Sequence, residues 1–254
     1  MKLAVIGATG NVGLRVVREA LRRDHSVTAI ARHPEKKLVS QLGLTLCAAD
    51  LMDLGQMTGA IAGHDAVIST FNVGHDPGAH PNHYRGIMEG TRLMIAAVKQ
   101  TEIKRFLFVG GAGSLYIAPG IQLVDDLKGM RKMLDTAPPE IKAWMASATN
   151  MPLSSADDCD RFMELHLDIV PAAFRMAFLL FEHDTSFDWT FLSPPAGLMP
   201  GQRTGYYQIC GEELPMEGGV PAGISMEDMA VAIVDEMETP KLTRRHWSVK
   251  ASNS

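Results

Sequence analysis

The sequence is sparing with cysteine, and it has neither a dense basic run nor a long apolar one. Each absence removes a class of protein. Its three cysteines, Cys47, Cys159 and Cys210, are odd in number and far apart, so neither a disulfide framework nor a Cys-x-x-Cys metal knuckle can be built from them. A reducing, intracellular setting is expected. Lys and Arg are scattered and the net charge is −5, which opposes general attraction to nucleic acid. No apolar stretch reaches the roughly 18–20 residues that span a bilayer, and the start of the chain lacks the charged region, apolar core and cleavage site of a signal peptide. A soluble, cytoplasmic protein without nucleic-acid or membrane partners is the expectation. Repeats, low-complexity tracts and interdomain linkers are also absent. What is present, 254 residues of which 46% are hydrophobic, suffices for the core of one domain over 1–254.

The chain opens MKLAVIGATGNVGLRVV. KLAVI is short, apolar and β-branched, as a central parallel strand buried on both faces requires. Gly7 then permits a sharp turn, Gly10 removes the side chain that would hold backbone away from a pyrophosphate, and Gly13 lets the following helix lie close to the sheet. That helix, LRVVREALRRD, sets Leu14, Val17 and Leu21 on one face, and its N-terminal N–H groups point back at the turn. Strand, glycine turn and helix in this order read as a dinucleotide phosphate site around Gly7, Gly10 and Gly13.

Four more strand patterns follow in HSVTAIAR, LTLCAAD, HDAVISTF and IKRFLFVGG, with helical spacing between the last two through Ile87, Thr91, Met94, Ile95 and Val98. Strands alternating with helices imply an α/β, Rossmann-like, doubly wound parallel sheet, with ligands at the carboxyl ends of its strands. The second strand ends in Ala31-Arg32-His33-Pro34, where NAD-selective proteins usually carry Asp or Glu; a guanidinium there suits the 2′-phosphate of NADP(H) instead. Arg15 is a weaker candidate for the same phosphate, and the plain alternative for Arg32 is a solvated loop. Asp50 and Leu51 are placed to flank an adenine, unless Asp50 is only a helix cap. Thr70, Phe71 and Asn72 would line ribose and pyrophosphate, unless they form a simple loop.

The segments VIGATGNVG, ADLMD, GHDAVIST, KRFLFVGGAGSLYIAPG and DWTFLSPPAGLMPGQRTGYYQ resemble the atypical short-chain dehydrogenase/reductase superfamily. Within it they are most similar to the NAD(P)H-binding group of NADH-flavin reductases, biliverdin reductase B and NmrA-like proteins. The likeness covers about 1–125 and 175–250. It implies that Thr9, Asn11 and Val12 belong to the phosphate turn with the first three glycines, that the turn at Gly110, Gly111, Gly113 and Ser114 meets nicotinamide and substrate, and that Ser193, Pro194 and Pro195 close over the nicotinamide. The superfamily's usual Tyr-x-x-x-Lys pair, in which a lysine charge activates the tyrosine, is missing: none of Tyr84, Tyr116, Tyr206 or Tyr207 has Lys four residues on. A flavin or quinone can accept hydride with little protein acid–base help. Ser114 and Tyr116 remain candidates for orienting a substrate carbonyl, or for capping a turn. His75, His80 and His83 sit in a Pro- and Gly-rich stretch that offers no rigid metal scaffold, so no metal is expected there. His166 and His183 read as surface or core residues of helices.

Residues 126–172 are longer than this group usually has. Pro138-Pro139 and Pro152 break helical runs, and Ser155-Ala156-Asp157-Asp158 resembles a capping box. Met130, Met133, Trp144, Met145, Met151, Phe162 and Met163 give this helical insertion adaptable apolar surface. It reads as a lid or wall on the substrate side, or as a small cluster or dimer contact. Near the end, Met226, Met229, Ile233 and Met237 recur at helical spacing, as core residues do. Taken together, the residues and the resemblance imply an NADPH-dependent oxidoreductase acting on a small apolar or aromatic acceptor, as monomer or homodimer. The alternatives are an NAD(P)H-sensing regulator, or an isomerase or cyclase on the same scaffold.

Overall fold

KLAVI forms a strand whose alternate side chains serve two covered faces. In the computed structural model, which describes residues 1–72, 80–149, 151–164 and 169–252, β1 (Lys2–Ile6) sends Leu3 and Val5 into one apolar cluster and Ala4 and Ile6 into another. Next come α1 (Asn11–Arg22), β2 (Ser26–Ala31), β3 (Leu44–Ala48), α2 (Leu54–Ile61), β4 (Ala66–Ser69), α3 (His80–Lys99) and β5 (Arg105–Val109). A short hairpin, β6 (Tyr116–Ala118) and β7 (Ile121–Gln122), leads to α4 (Leu127–Thr136), α5 (Pro139–Thr149) and α6 (Ala156–Phe162). The remaining elements are α7 (Ile169–Glu182), β8 (Asp188–Leu192), β9 (Gly197–Met199), β10 (Tyr207–Cys210), β11 (Met216–Glu217), β12 (Val220–Pro221), β13 (Gly223–Ser225), α8 (Met226–Glu238) and β14 (His246–Ala251).

The main sheet runs β10-β14-β8-β5-β4-β1-β2-β3. All its pairings are parallel except β10 against β14. From β1 the chain winds outward through β2 and β3, then returns to the other side of β1 with β4 and β5. This is the doubly wound Rossmann-like arrangement, and it opens a crevice at the strand ends between β1 and β4, where winding reverses. Helices α2, α3 and α7 cover one face, where Met57, Met94 and Phe181 are fully buried. Helices α1 and α8 cover the other.

The buried face of α1 differs from the expected one. It comprises Gly13, Val16, Val17 and Ala20, with Leu14 and Leu21 only half-buried. Small residues allow the helix to approach the sheet closely, which moves the larger leucines to the margin. Met226, Met229, Ile233 and Met237 of α8 are all buried, as their spacing indicates. Charged contacts fasten the two helices at their rims. Glu19 of α1 is 4% exposed and accepts hydrogen bonds from Arg22, Arg23 and Arg203. Arg23 also reaches Asp235 and Glu238 of α8, and Asp228 accepts from the Thr204 and Gly205 N–H groups.

In the 126–172 region, Pro139 opens α5, and Ser155 caps α6 in a reciprocal box with Asp158. Met151 and Phe162 join Leu134 and Cys159 in one small cluster, and Met130 joins Leu115, Leu123 and Leu214 in a second. These apolar residues therefore meet each other, while Met133, Trp144, Met145 and Met163 stay half-buried. Among the described residues no helix is long and apolar enough to cross a membrane.

Candidate cofactor site

The turn after β1 is built by backbone geometry. Gly7 has φ +76°, a conformation that disfavours any side chain. Gly10 N–H closes the turn on the Gly7 carbonyl at 2.9 Å. Helix α1 then starts without a side-chain cap. Its first internal bond is Leu14 N–H to Gly10 O, so the N–H groups of Asn11, Val12 and Gly13 are left for an acceptor outside the helix. Uncapped donors at the positive end of a helix suit a pyrophosphate. Gly13 is required by proximity, since a Cβ there would lie 2.2 Å from the Gly7 carbonyl oxygen and 2.8 Å from Thr70 Oγ1. The Thr70 hydroxyl donates to the Ile6 and Gly7 carbonyls at 3.1 and 3.2 Å. It ties β4 to the turn from behind rather than facing a ribose.

From this turn a cleft of about 230 Å³ crosses the ends of β2 and β3. Buried Ile6, Ile30, Leu51 and Met57 contribute apolar surface, together with half-buried Phe71. Thr9, Arg32, Asp50 and Asn72 supply its polar edge. A flat apolar slot with a carboxylate and a guanidinium at its mouth fits the adenosine half of a dinucleotide. Asp50 Oδ1 accepts from Met52 N–H at 3.0 Å. The cap of α2 is a different residue, Asp53, whose side chain accepts from Gln56 N–H. Arg32 is exposed and makes no ion pair or hydrogen bond with another described residue. Arg15 is otherwise engaged: its guanidinium donates to Glu227 at 2.6 Å and to the Asn11 carbonyl at 2.8 Å.

The ends of β5 and β8 approach each other beyond this cleft. Gly110 N–H donates to the Leu192 carbonyl at 2.8 Å, and Gly111 leads into the 3-10 turn Ala112–Ser114. Ser114 is fully buried. Its Oγ lies 2.9 Å from the Gly111 carbonyl and 2.7 Å from Ser193 Oγ. Ser193 Oγ in turn lies 2.8 Å from His246 Nε2. The ring of His246 packs on Phe178, with centroids 4.6 Å apart, and burial pushes its imidazole down to about 4. Pro194 and Pro195 continue the loop from Ser193, half-buried and buried respectively. Tyr116 does not join this group. It lines a separate, larger groove between the β6–β7 hairpin, α4 and the β11–β12 hairpin.

A model of the NAD(P)H-binding family matches residues 7–137. The chain belongs to this family. It is 31% identical over 251 residues to YwnB, an uncharacterised protein of Bacillus subtilis, and the match covers 98% of each chain. Among solved structures it resembles a candidate epimerase from Bacteroides thetaiotaomicron, at 30% identity and TM-score 0.75, over 100% of this chain and 98% of that one. A candidate NADH-flavin reductase from Streptococcus pneumoniae is 29% identical with TM-score 0.72, over 99% of this chain and 100% of that one. These likenesses match the atypical short-chain dehydrogenase/reductase group.

For an NAD(P)H-binding protein the histidines are arranged differently from expectation. His83 is no loop residue; it lies buried in α3, and His80 opens the same helix. His183 follows α7 with its side chain 90% exposed. His75 and His166 lie outside the described residues. Among the described residues no group of three or more His, Cys, Asp or Glu is placed to hold a metal ion. Two residues near the site escaped the sequence reading. Lys37 donates from Nζ to the Thr9 carbonyl at 3.0 Å, beside the turn; the Lys36-Lys37 pair soon after Arg32 was the available signal. His246 opens β14, and a polar residue at the head of the run HWSVKA, a candidate closing strand, was the only local hint.

Proposed function

We propose that this chain is an NADPH-dependent oxidoreductase that passes hydride to a flavin, a quinone or a conjugated carbonyl. The observation that carries the reading is the exposed guanidinium of Arg32 at the mouth of the adenosine cleft, which pairs with no other described residue. A carboxylate at this strand end would hold a ribose 2′-hydroxyl, whereas a guanidinium meets a 2′-phosphate with paired donors. The Lys37 ammonium adds charge of the same sign nearby. The N–H groups of Asn11, Val12 and Gly13 would hold the pyrophosphate, and Asp50 and Leu51 the adenine. When bound, the dihydronicotinamide supplies the hydride. The residues beyond the cleft would shape its surroundings: Gly110 and Gly111 let the Phe191 and Phe174 rings pack close behind the end of β5, Phe178 adds to that apolar backing, and Pro194 and Pro195 close one side. Such surroundings suit a small apolar or aromatic acceptor.

Calorimetric titration with NADPH and with NADH tests the cofactor, and steady-state NADPH oxidation with a flavin, a quinone and an enone tests the reaction. Arg32→Ala should weaken NADPH binding about tenfold or more, the loss of a charge-assisted pair, and leave NADH within about twofold. Equal loss for both cofactors would remove the NADPH preference. The structural likeness to a candidate epimerase favours a second reading, in which product forms without net consumption of NADPH. Absorbance at the nicotinamide band separates the two.

A further inference from the structure

The buried row of Ser114, Ser193 and His246 joins three separate elements: the turn after β5, the loop after β8 and the first residue of β14. Its spacings are 2.7 Å between the two hydroxyls and 2.8 Å from Ser193 to Nε2. At one end Ser114 Oγ meets the Gly111 carbonyl at 2.9 Å. At the other, His246 Nδ1 is buried without a hydrogen-bond partner, and the nearest carboxylate oxygen, on Glu212, is 3.9 Å away. Glu212 is half-exposed and borders the larger groove. Among the described residues the other neighbours of the ring carry no charge: Phe178 from α7, Phe191 from β8, and the two serines.

Two orders of hydrogens satisfy this row. In the first, Nε2 donates to Ser193, Ser193 donates to Ser114, and Ser114 donates to the Gly111 carbonyl, leaving Nδ1 bare. In the second every group turns round: Ser114 donates to Ser193, Ser193 donates to Nε2, and the ring proton sits on Nδ1, facing Glu212. A mixed order leaves one of the two short contacts without a hydrogen, or sends the Ser193 hydrogen out of the row without a partner there. The ring is neutral near pH 7 because burial disfavours its charged form, so the two orders are the two tautomers of one neutral imidazole. Conversion of the first into the second takes up one proton at Nδ1 and releases one at Ser114.

We infer that His246, acting through Ser193, orients the Ser114 hydroxyl and relays a proton to it when a conjugated carbonyl is reduced. The inference rests on the reductase reading above. Hydride from the dihydronicotinamide arrives at the β-carbon of an enone, and the displaced electron pair moves onto the carbonyl oxygen. That oxygen takes the Ser114 hydrogen once it has displaced the Gly111 carbonyl, whose turn closes over the fully buried hydroxyl in the ligand-free fold and has to open to admit it. Ser114 then takes the Ser193 hydrogen, Ser193 takes the one on Nε2, and Nδ1 takes a proton that the half-exposed Glu212 carboxyl passes inward from water. The nicotinamide is oxidised, and the acceptor gains one hydride and one proton. His246 is thus a positioning residue, which supplies the acid function that the absent tyrosine–lysine pair would otherwise perform.

The test compares wild type with His246→Gln, which keeps an amide near the place of Nε2 but cannot exchange tautomers. With an enone, kcat should fall about tenfold or more, at the lower end of general-acid effects, and the solvent deuterium isotope effect expected of wild type should disappear. With a quinone, kcat should stay within about twofold. Equal losses with both acceptors, no loss with either, or a wild-type protein that reduces quinones and not enones would each overturn the relay. Imidazole nitrogen resonances of the ligand-free protein give a readout apart from turnover. Ser114→Ala should lock the ring as the Nδ1–H tautomer, where wild type shows a mixture; an unchanged tautomer overturns the inference. Failure of the wild-type protein to bind NADPH would sink the reductase reading itself. Binding and quinone turnover with a silent His246→Gln would sink the relay alone.

Discussion

Gly13→Ala tests the argument that backbone proximity shapes the phosphate turn. The new Cβ would lie 2.2 Å from the Gly7 carbonyl oxygen, 2.8 Å from Thr70 Oγ1 and 2.9 Å from Ala8 Cα, against ordinary contact beginning at 3.4 Å. Two of these three neighbours are backbone atoms of the turn, so α1 must lift by about an ångström. That movement strains the Gly10 N–H bond to Gly7 and the two bonds of the Thr70 hydroxyl. Overpacking costs about 1–3 kcal/mol, and each weakened hydrogen bond up to about 1 kcal/mol. The better helix propensity of alanine returns about 1 kcal/mol. A net loss of about 2–3 kcal/mol results, or a Tm lower by about 4–12 °C for a chain of this size. Thermal unfolding followed by circular dichroism reads this directly, and calorimetry should show NADPH affinity reduced at least tenfold. Gly59→Ala in α2 is the control, because nothing lies within 4 Å of its added Cβ; it should be neutral or stabilising by up to about 1 kcal/mol. A Gly13→Ala protein as stable as Gly59→Ala, with NADPH binding intact, would refute the reasoning.

Two further substitutions test the frame around the site. Burial alone would raise the Glu19 carboxyl, but hydrogen bonds from Arg203, Arg22 and Arg23 outweigh it and hold the group well below its ordinary value of 4.5. Glu19→Gln should therefore cost about 2–3 kcal/mol near neutral pH, less than a fully buried pair because Arg22 and Arg203 reach water. A carboxyl with a lowered pKa stabilises the fold above its unfolded value and loses that contribution as pH falls toward the folded one. Denaturant curves for wild type and variant should then converge only below pH 4.5; a gap that closes between pH 8 and 6 would contradict the assignment. Asp53→Ala removes the side-chain cap of α2 and should lower stability by about 1 kcal/mol, read as a smaller denaturation midpoint at unchanged slope.

What the sequence revealed was local. The glycine turn, the alternation of strand and helix, and the Ser155 box each lie within a few residues, where backbone chemistry leaves a visible pattern. The face of α1 was misjudged because hydrophobicity points to leucine, whereas close packing on the sheet selects Gly13 and Ala20. The fate of Arg15 depended on Glu227, 212 positions away. The row from Ser114 to His246 spans 132 positions, and no periodicity connects a hydroxyl in a turn with an imidazole at the start of a distant strand. Asp50 and Asp53 show the same limit on a small scale: both precede the helix, and only geometry shows which one caps it.

The packing of α1 on α8 has a consequence for synthesis. Some 200 residues separate the two helices, so at roughly 5–20 residues per second the ribosome releases α1 about 10–40 s before its cover exists. During that interval Val16, Val17 and the Leu3–Val5 face of the first strand have no partner, although the opposite face can already gather α2 and α3. The newborn chain is a half-clad sheet. Chaperone capture should concentrate on its N-terminal third, and a chain terminated before α8 should be cleared as misfolded instead of surviving as a free nucleotide-binding module.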